Sequence, residues 1–150
     1  MTKILKNRRD FLASAAGLGL AGLALPQLSR AAMAKDHSDM EYVFLSIVTQ
    51  VPFWADHRAA LKDVGELLGV KTTFTGPLDF DTAAQARQLD EIIARRPAGI
   101  LIFPGDPAAL APGVERAVEA GIPVTTCVGD IPDSVRSTFF GINGVEAGRV

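Results

Sequence analysis

The chain has 150 residues, 48% hydrophobic and 21% charged, an ordinary globular composition with room for one domain at most. Its formal charge of -2 hides an asymmetry, because the first 34 residues carry Lys3, Lys6, Arg8, Arg9 and Arg30 against Asp10, which leaves 10 basic and 16 acidic residues in the remainder. So acidic a body lacks the basic face that displaces counterions, which excludes nucleic acid as a partner. A single cysteine, Cys127, excludes an internal disulfide and a zinc cluster.

Residues 1–34 read as an address. A basic start leads into a run of Ala, Gly, Leu and one Ser over 13–25, then Pro26 and a small-residue stretch ending Ala32-Met33-Ala34, the three zones of a signal peptide. The apolar run is too short to span a bilayer and is weakened by Gly17, Gly19 and Gly22. Cleavage is expected after Ala34, with 35–41 as a linker. Asn7-Arg8-Arg9-Asp10-Phe11-Leu12 resembles the twin-arginine export signal, although Asn7 stands where Ser or Thr is usual and Ala13 where Lys is common. The G-x-G-x-x-G at 17–22 is not a dinucleotide fingerprint, since no strand precedes it.

From residue 42 the chain alternates strand and helix. Tyr42-Val43-Phe44-Leu45-Ser46-Ile47-Val48 is near-continuously apolar, as suits a strand covered on both faces. It breaks into Thr49-Gln50-Val51-Pro52-Phe53-Trp54. A helix over 55–68 then places Ala59, Ala60, Val64, Leu67 and Leu68 on an apolar stripe facing a sheet, and Gly69 ends it. Further strands are expected at 70–75, 99–103, 123–128 and 137–142, with helices over 81–96 and 108–120 and another beginning at Asn143-Gly144. Crossovers of this length predict an α/β fold with a doubly wound parallel sheet in the order 2-1-3-4-5.

Open parallel sheets bind ligands at the carboxyl ends of their strands. Phe53 and Trp54 fall there behind a stiff Pro52, either facing a ligand or capping the core, and Gln50 can reach the same place. Asp106 and Asp130 follow the third and fourth strands on the same rim. Asp106 either accepts hydrogen bonds from a ligand or caps the next helix, and Asp130 either does likewise or only shapes its turn. His57 and Arg58 read as solvated helix residues.

Val51-Pro52-Phe53-Trp54, Gly76-Pro77, the segment Ala98-Gly99-Ile100-Leu101-Ile102-Phe103-Pro104, Ala120-Gly121-Ile122-Pro123-Val124, Pro132-Asp133-Ser134 and the stretch from Gly141 to Arg149 recur in an order and spacing that carry a family resemblance. Residues 42–150 resemble the amino-terminal lobe of the periplasmic sugar-binding proteins of ABC importers, the ribose-binding-protein-like group with the type I solute-binding fold. The resemblance implies capture of a sugar, a polyol or a similar small polar solute in the periplasm and delivery to an ABC permease in the inner membrane, with no cofactor and no catalysis. It also implies a second lobe that is missing here and a first lobe truncated at its carboxyl end, so binding of order millimolar is expected of this chain alone. Phe53 and Trp54 match the family's stacking pair. Three departures stand out: Val51 where the family often has Asn, Phe103 where it has a polar Asn, and Val128 where it has Asp. Unless Gln50, Asp106, Asp130 or Asn143 substitute, the site is more apolar than one for ribose, and a deoxysugar, a polyol or a non-sugar metabolite comes into view. Enzyme readings find little support: there is no G-x-S-x-G elbow, no P-loop, and the only histidines are His37 and His57. The alternatives are a flavodoxin-like or other exported α/β domain without a transport role, or a non-functional half of a binding protein.

Overall fold

The computed structural model describes residues 37–149, and the expected export signal at 1–34 lies outside the described residues. The elements run β1 (Glu41–Leu45), one 3-10 turn (Pro52–Trp54), α1 (Ala55–Leu68), β2 (Lys71–Thr75), α2 (Thr82–Arg95), β3 (Gly99–Ile102), α3 (Pro107–Glu119), β4 (Val124–Cys127), β5 (Thr138–Phe140) and α4 (Gly144–Ala147). All five strands are parallel, in the order β2-β1-β3-β4-β5, as expected. Leu45 pairs with both Thr75 and Ile102, and Ile102 pairs with Thr126, so the strands end together along one rim.

Local chemistry sets the boundaries. The apolar run continues to Val48, yet β1 stops at Leu45 because the Ser46 hydroxyl donates to the Val48 carbonyl at 2.8 Å and closes a turn. Asp81 starts α2 by accepting the Ala84 amide at 2.8 Å. Asp106 starts α3 in the same way, and Pro107 fits the first helical position, where no amide is needed. Gly69, at φ 66°, ends α1 in the left-handed conformation that glycine adopts with least strain.

The pleat sends alternate side chains to opposite faces. Val43, Leu45, Ile100, Ile102 and Val124 pack against Leu89 and Ile92 of α2 and Leu110, Val114 and Ala117 of α3, forming the main core. Gly113 lets these two helices approach, since a Cβ there would stand 2.6 Å from Leu89 Cδ2. On the other face Phe44, Trp54 and Cys127 are buried, with Leu61, Phe74, Leu101 and Phe103 half-covered beside them. The expected apolar stripe of α1 is corrected here: Ala59, Ala60, Val64, Leu67 and Leu68 are all exposed, and α1 seats through Leu61 and Gly65 instead. The reason is lateral placement. Gly65 abuts Thr72 of the edge strand β2, and the Thr72 hydroxyl donates to the Leu61 carbonyl at 3.0 Å, so the helix leans over the sheet edge. An apolar depression of about 350 Å³ stays open between Val64 and Leu68 on one side and Tyr42, Leu101 and Thr125 on the other.

Candidate functional site

Because every strand points the same way, the segments after β1, β3, β4 and β5 emerge at one end of the sheet, and these carry Gln50, Phe53, Trp54, Asp106, Asp130 and Asn143. The loop after β1 is fastened to the loop after β2: the Thr49 amide and hydroxyl both donate to the Pro77 carbonyl, at 2.9 and 3.0 Å. Arg58 adds a bond from its guanidinium to the Thr49 carbonyl and lies 4.6 Å over the Phe74 ring. Gln50 is therefore an exposed side chain on a fixed loop.

The two aromatics of the 3-10 turn part company. Trp54 is 1% exposed and meets Phe44, Phe74 and Phe103 at centroid distances of 5.3, 5.7 and 5.5 Å, whereas Phe53 is 57% exposed. The expectation of a stacking pair is revised to one open ring seated on a buried one. Phe53 is held from two sides, edge-on to Trp54 at 4.7 Å and tilted against His57 at 5.1 Å, and the His57 Nδ1 reaches the Phe53 carbonyl at 3.3 Å. His57 thus braces the ring. The Trp54 indole N–H has no hydrogen-bond partner among the described residues.

The polar candidates are largely engaged with their own backbone. Asp106 Oδ1 accepts the Ala108 and Ala109 amides at 2.9 and 3.2 Å, and Asn143 Oδ1 accepts those of Val145 and Glu146 at 3.2 and 3.3 Å. Both are helix caps. Asp130 Oδ1 accepts the Thr126 hydroxyl and the Ile131 amide, each at 2.8 Å, and Oδ2 accepts Arg136 Nη2 at 2.7 Å. Arg136 Nε also lies 2.6 Å from Oδ1 but without the alignment of a hydrogen bond. Burial pushes the Asp130 pKa up, but the bonds from Arg136, Thr126 and Ile131 and the Arg136 charge outweigh it and hold the carboxyl below the usual carboxylate range. It is an anion bound into its own loop. Cys127 is the opposite case: burial pushes its thiol up to about 12, so it stays protonated and unreactive at neutral pH.

Gln85 is a positioning residue that sequence reasoning missed. Buried on α2, it donates from Nε2 to the Phe103 carbonyl at 2.7 Å and accepts the Gly105 amide on Oε1 at 3.0 Å, fixing the loop that carries Asp106. The signal was present, since Gln85, Leu89 and Ile92 share one helical face and a polar residue on an apolar stripe needs partners.

Open α/β sheets bind ligands at the carboxyl ends of their strands, and there one aromatic stands exposed and braced. Residues 42–150 match the family model described as "Periplasmic binding protein domain", and the chain belongs to that family, whose members are binding proteins and not enzymes. Among solved structures it is similar to AraP, an arabinose-binding protein from Geobacillus stearothermophilus, at 33% identity over 73% of this chain and 38% of that one, with a TM-score of 0.70. A sugar-binding protein of a sugar ABC transporter from Bacillus halodurans matches at 30% identity over 72% and 37% of the two chains, with a TM-score of 0.69. A solute-binding protein from Burkholderia graminis, solved with D-arabinose, matches at 29% identity over 77% and 39%, with a TM-score of 0.70. The chain spans about two fifths of the length of these relatives.

Proposed function

We propose that this chain is the amino-terminal lobe of an extracytoplasmic substrate-binding component of an ABC importer, exported by its first 34 residues, and that its carboxyl rim receives a sugar or polyol for an inner-membrane permease. The observation that carries this reading is Phe53, an aromatic ring left open at the rim while everything beneath it is packed to hold it still. The C–H face of a pyranose stacks on such a ring, and the sugar-binding relatives support the solute class. Gln50 after β1 and Asp106 after β3 lie at the same end of the sheet and are the polar contacts it would offer. Calorimetry of the full chain against D-arabinose, D-ribose, D-galactose and a polyol tests the reading. Binding of order millimolar or tighter by at least one, weakened about fivefold or more in Phe53→Ala through loss of the stacking contact, is expected, and heats indistinguishable from dilution for all four would contradict it.

A further inference from the structure

The expected export boundary sets the chemistry of a new amino terminus. Cleavage after Ala34 leaves Lys35-Asp36-His37 at the start of the chain, so a free α-amine stands two residues before a histidine. From there the amine, the amides of Asp36 and His37 and the imidazole Nδ1 close fused chelate rings of five and six atoms around a single ion. Neither Asp36 nor His37 is a proline, so both amides carry the proton that a metal must displace. Nitrogens held in one plane suit Cu(II) and Ni(II), and of the divalent ions Cu(II) binds such donors most strongly. Zinc prefers a tetrahedron, which short fused rings oppose. Lys35 and Asp36 lie outside the described residues and enter through covalent order alone.

The described residues supply a further donor. His37 Nδ1, the nitrogen that the chelate needs, lies 3.1 Å from Met40 Sδ. The Met40 amide donates to the His37 carbonyl at 2.9 Å, and the Met40 carbonyl accepts the Lys71 amide at 2.9 Å. A turn fastened where β1 and β2 begin thus folds the imidazole onto the thioether, and neither backbone bond uses an atom of the chelate. An ion about 2.0 Å from Nδ1 would have the sulfur as its neighbour, and a long axial methionine is a donor that copper accepts. Asp39, exposed in the same turn, adds negative charge. Among the described residues no cluster of His, Cys, Asp and Glu side chains could hold a metal ion, so the lobe offers no competing site of that kind. This end of the sheet is opposite the carboxyl rim, which keeps ion and solute apart.

We infer that export processing creates a Cu(II) site at the amino terminus, made by the Lys35 α-amine, the Asp36 and His37 amides and His37 Nδ1, with Met40 as axial neighbour. The inference rests on the export reading proposed above, with cleavage after Ala34, and is independent of the solute. Binding forms metal–nitrogen bonds and releases both amide protons to solvent, with no change of oxidation state. Before processing the Lys35 nitrogen is a peptide amide, and the third residue from Met1 is Lys3, so neither place chelates. The test titrates copper(II) chloride at neutral pH into protein recovered from the periplasm of an exporting host, its first residue read by mass spectrometry, and into the unprocessed chain. Absorbance and electron paramagnetic resonance report the coordination. Protein beginning at Lys35 should bind one ion at least about a hundredfold tighter than the unprocessed chain, in a planar all-nitrogen site. His37→Ala should lose that advantage, and Met40→Leu should alter the resonance spectrum while weakening binding less than about tenfold. A spectrum identical in Met40→Leu overturns the part given to Met40. Protein that begins at Lys35 yet binds copper no tighter than the unprocessed chain or His37→Ala overturns the inference and leaves export standing. A first residue other than Lys35 overturns the inference together with the expected boundary, and retention of residues 1–34 overturns the export reading as well.

Discussion

Along β1, Val43 and Leu45 look onto a wall of aliphatic side chains from α2 and α3, while Phe44 between them looks onto Trp54 and Phe74, with Leu61 of α1 beside them. One strand thus serves two unlike layers. Among the described residues the face under α2 and α3 buries twelve hydrophobic residues in one cluster, against three on the face under α1, so the closed face carries most of the stability. The sparser face is aromatic, half-open and continuous with the rim where Phe53 and Val128 are exposed. Stability sits mainly on one side of the sheet, and the other side runs into the rim proposed to receive the solute.

Equal deletions on the two faces should cost unequal stability. Leu110→Ala empties a fully buried site on the closed face and should cost about 3 kcal/mol, whereas Leu61→Ala on the half-covered face should cost about 1 kcal/mol, both read from urea unfolding midpoints. Equal losses would show that the faces share the load. Gln85→Ala tests whether the closed face also governs the rim. It strands the Phe103 carbonyl and the Gly105 amide and should cost about 2 kcal/mol, with amide exchange quickening at 104–106 ahead of the rest of the sheet.

Asp130 gives a pH signature on the rim side. Its carboxyl is held below the usual carboxylate range, so its stabilisation is fully present above the ordinary carboxylate value and is lost as pH falls through the lowered folded one. Asp130→Asn should cost about 1 kcal/mol at pH 7, discounted for partial exposure, and should flatten the acid limb of the stability profile followed by circular dichroism. An unchanged acid limb would place the acid sensitivity elsewhere. The smallest effect runs the other way: Val128→Gly should stabilise by about 0.5 kcal/mol, as relief of left-handed strain exceeds the added freedom of the unfolded chain.

The sheet order was legible because doubly buried strands, Gly and Pro punctuation and crossover lengths all agree on one topology. The capping role of Asp106 was legible as one of two alternatives, since an Asp before a Pro at the start of a helix carries its own local chemistry. The division of roles between Phe53 and Trp54 was left open, since either ring could face a ligand or cap the core. Consecutive residues on a 3-10 turn point in different directions, and only tertiary contact with Phe44, Phe74 and Phe103 decides which ring goes inward. The stripe of α1 was misread for a related reason: periodicity identifies an apolar face, but the seat of Gly65 on Thr72 leaves that face beyond the sheet edge. Val128 read as the last residue of a strand, and nothing local in a β-branched residue announces a positive φ.

On the function proposed above, the solute meets the lobe at the carboxyl rim and not in the depression beside α1. Chemical-shift mapping of the full chain with D-arabinose, the sugar bound by the Burkholderia graminis relative, tests it most directly. Perturbations should cluster at Gln50, Phe53, Gly105, Asp106 and Val128, with Val64, Leu68 and Tyr42 unmoved. Perturbations centred on Val64, Leu68 and Tyr42 with a silent rim would contradict it.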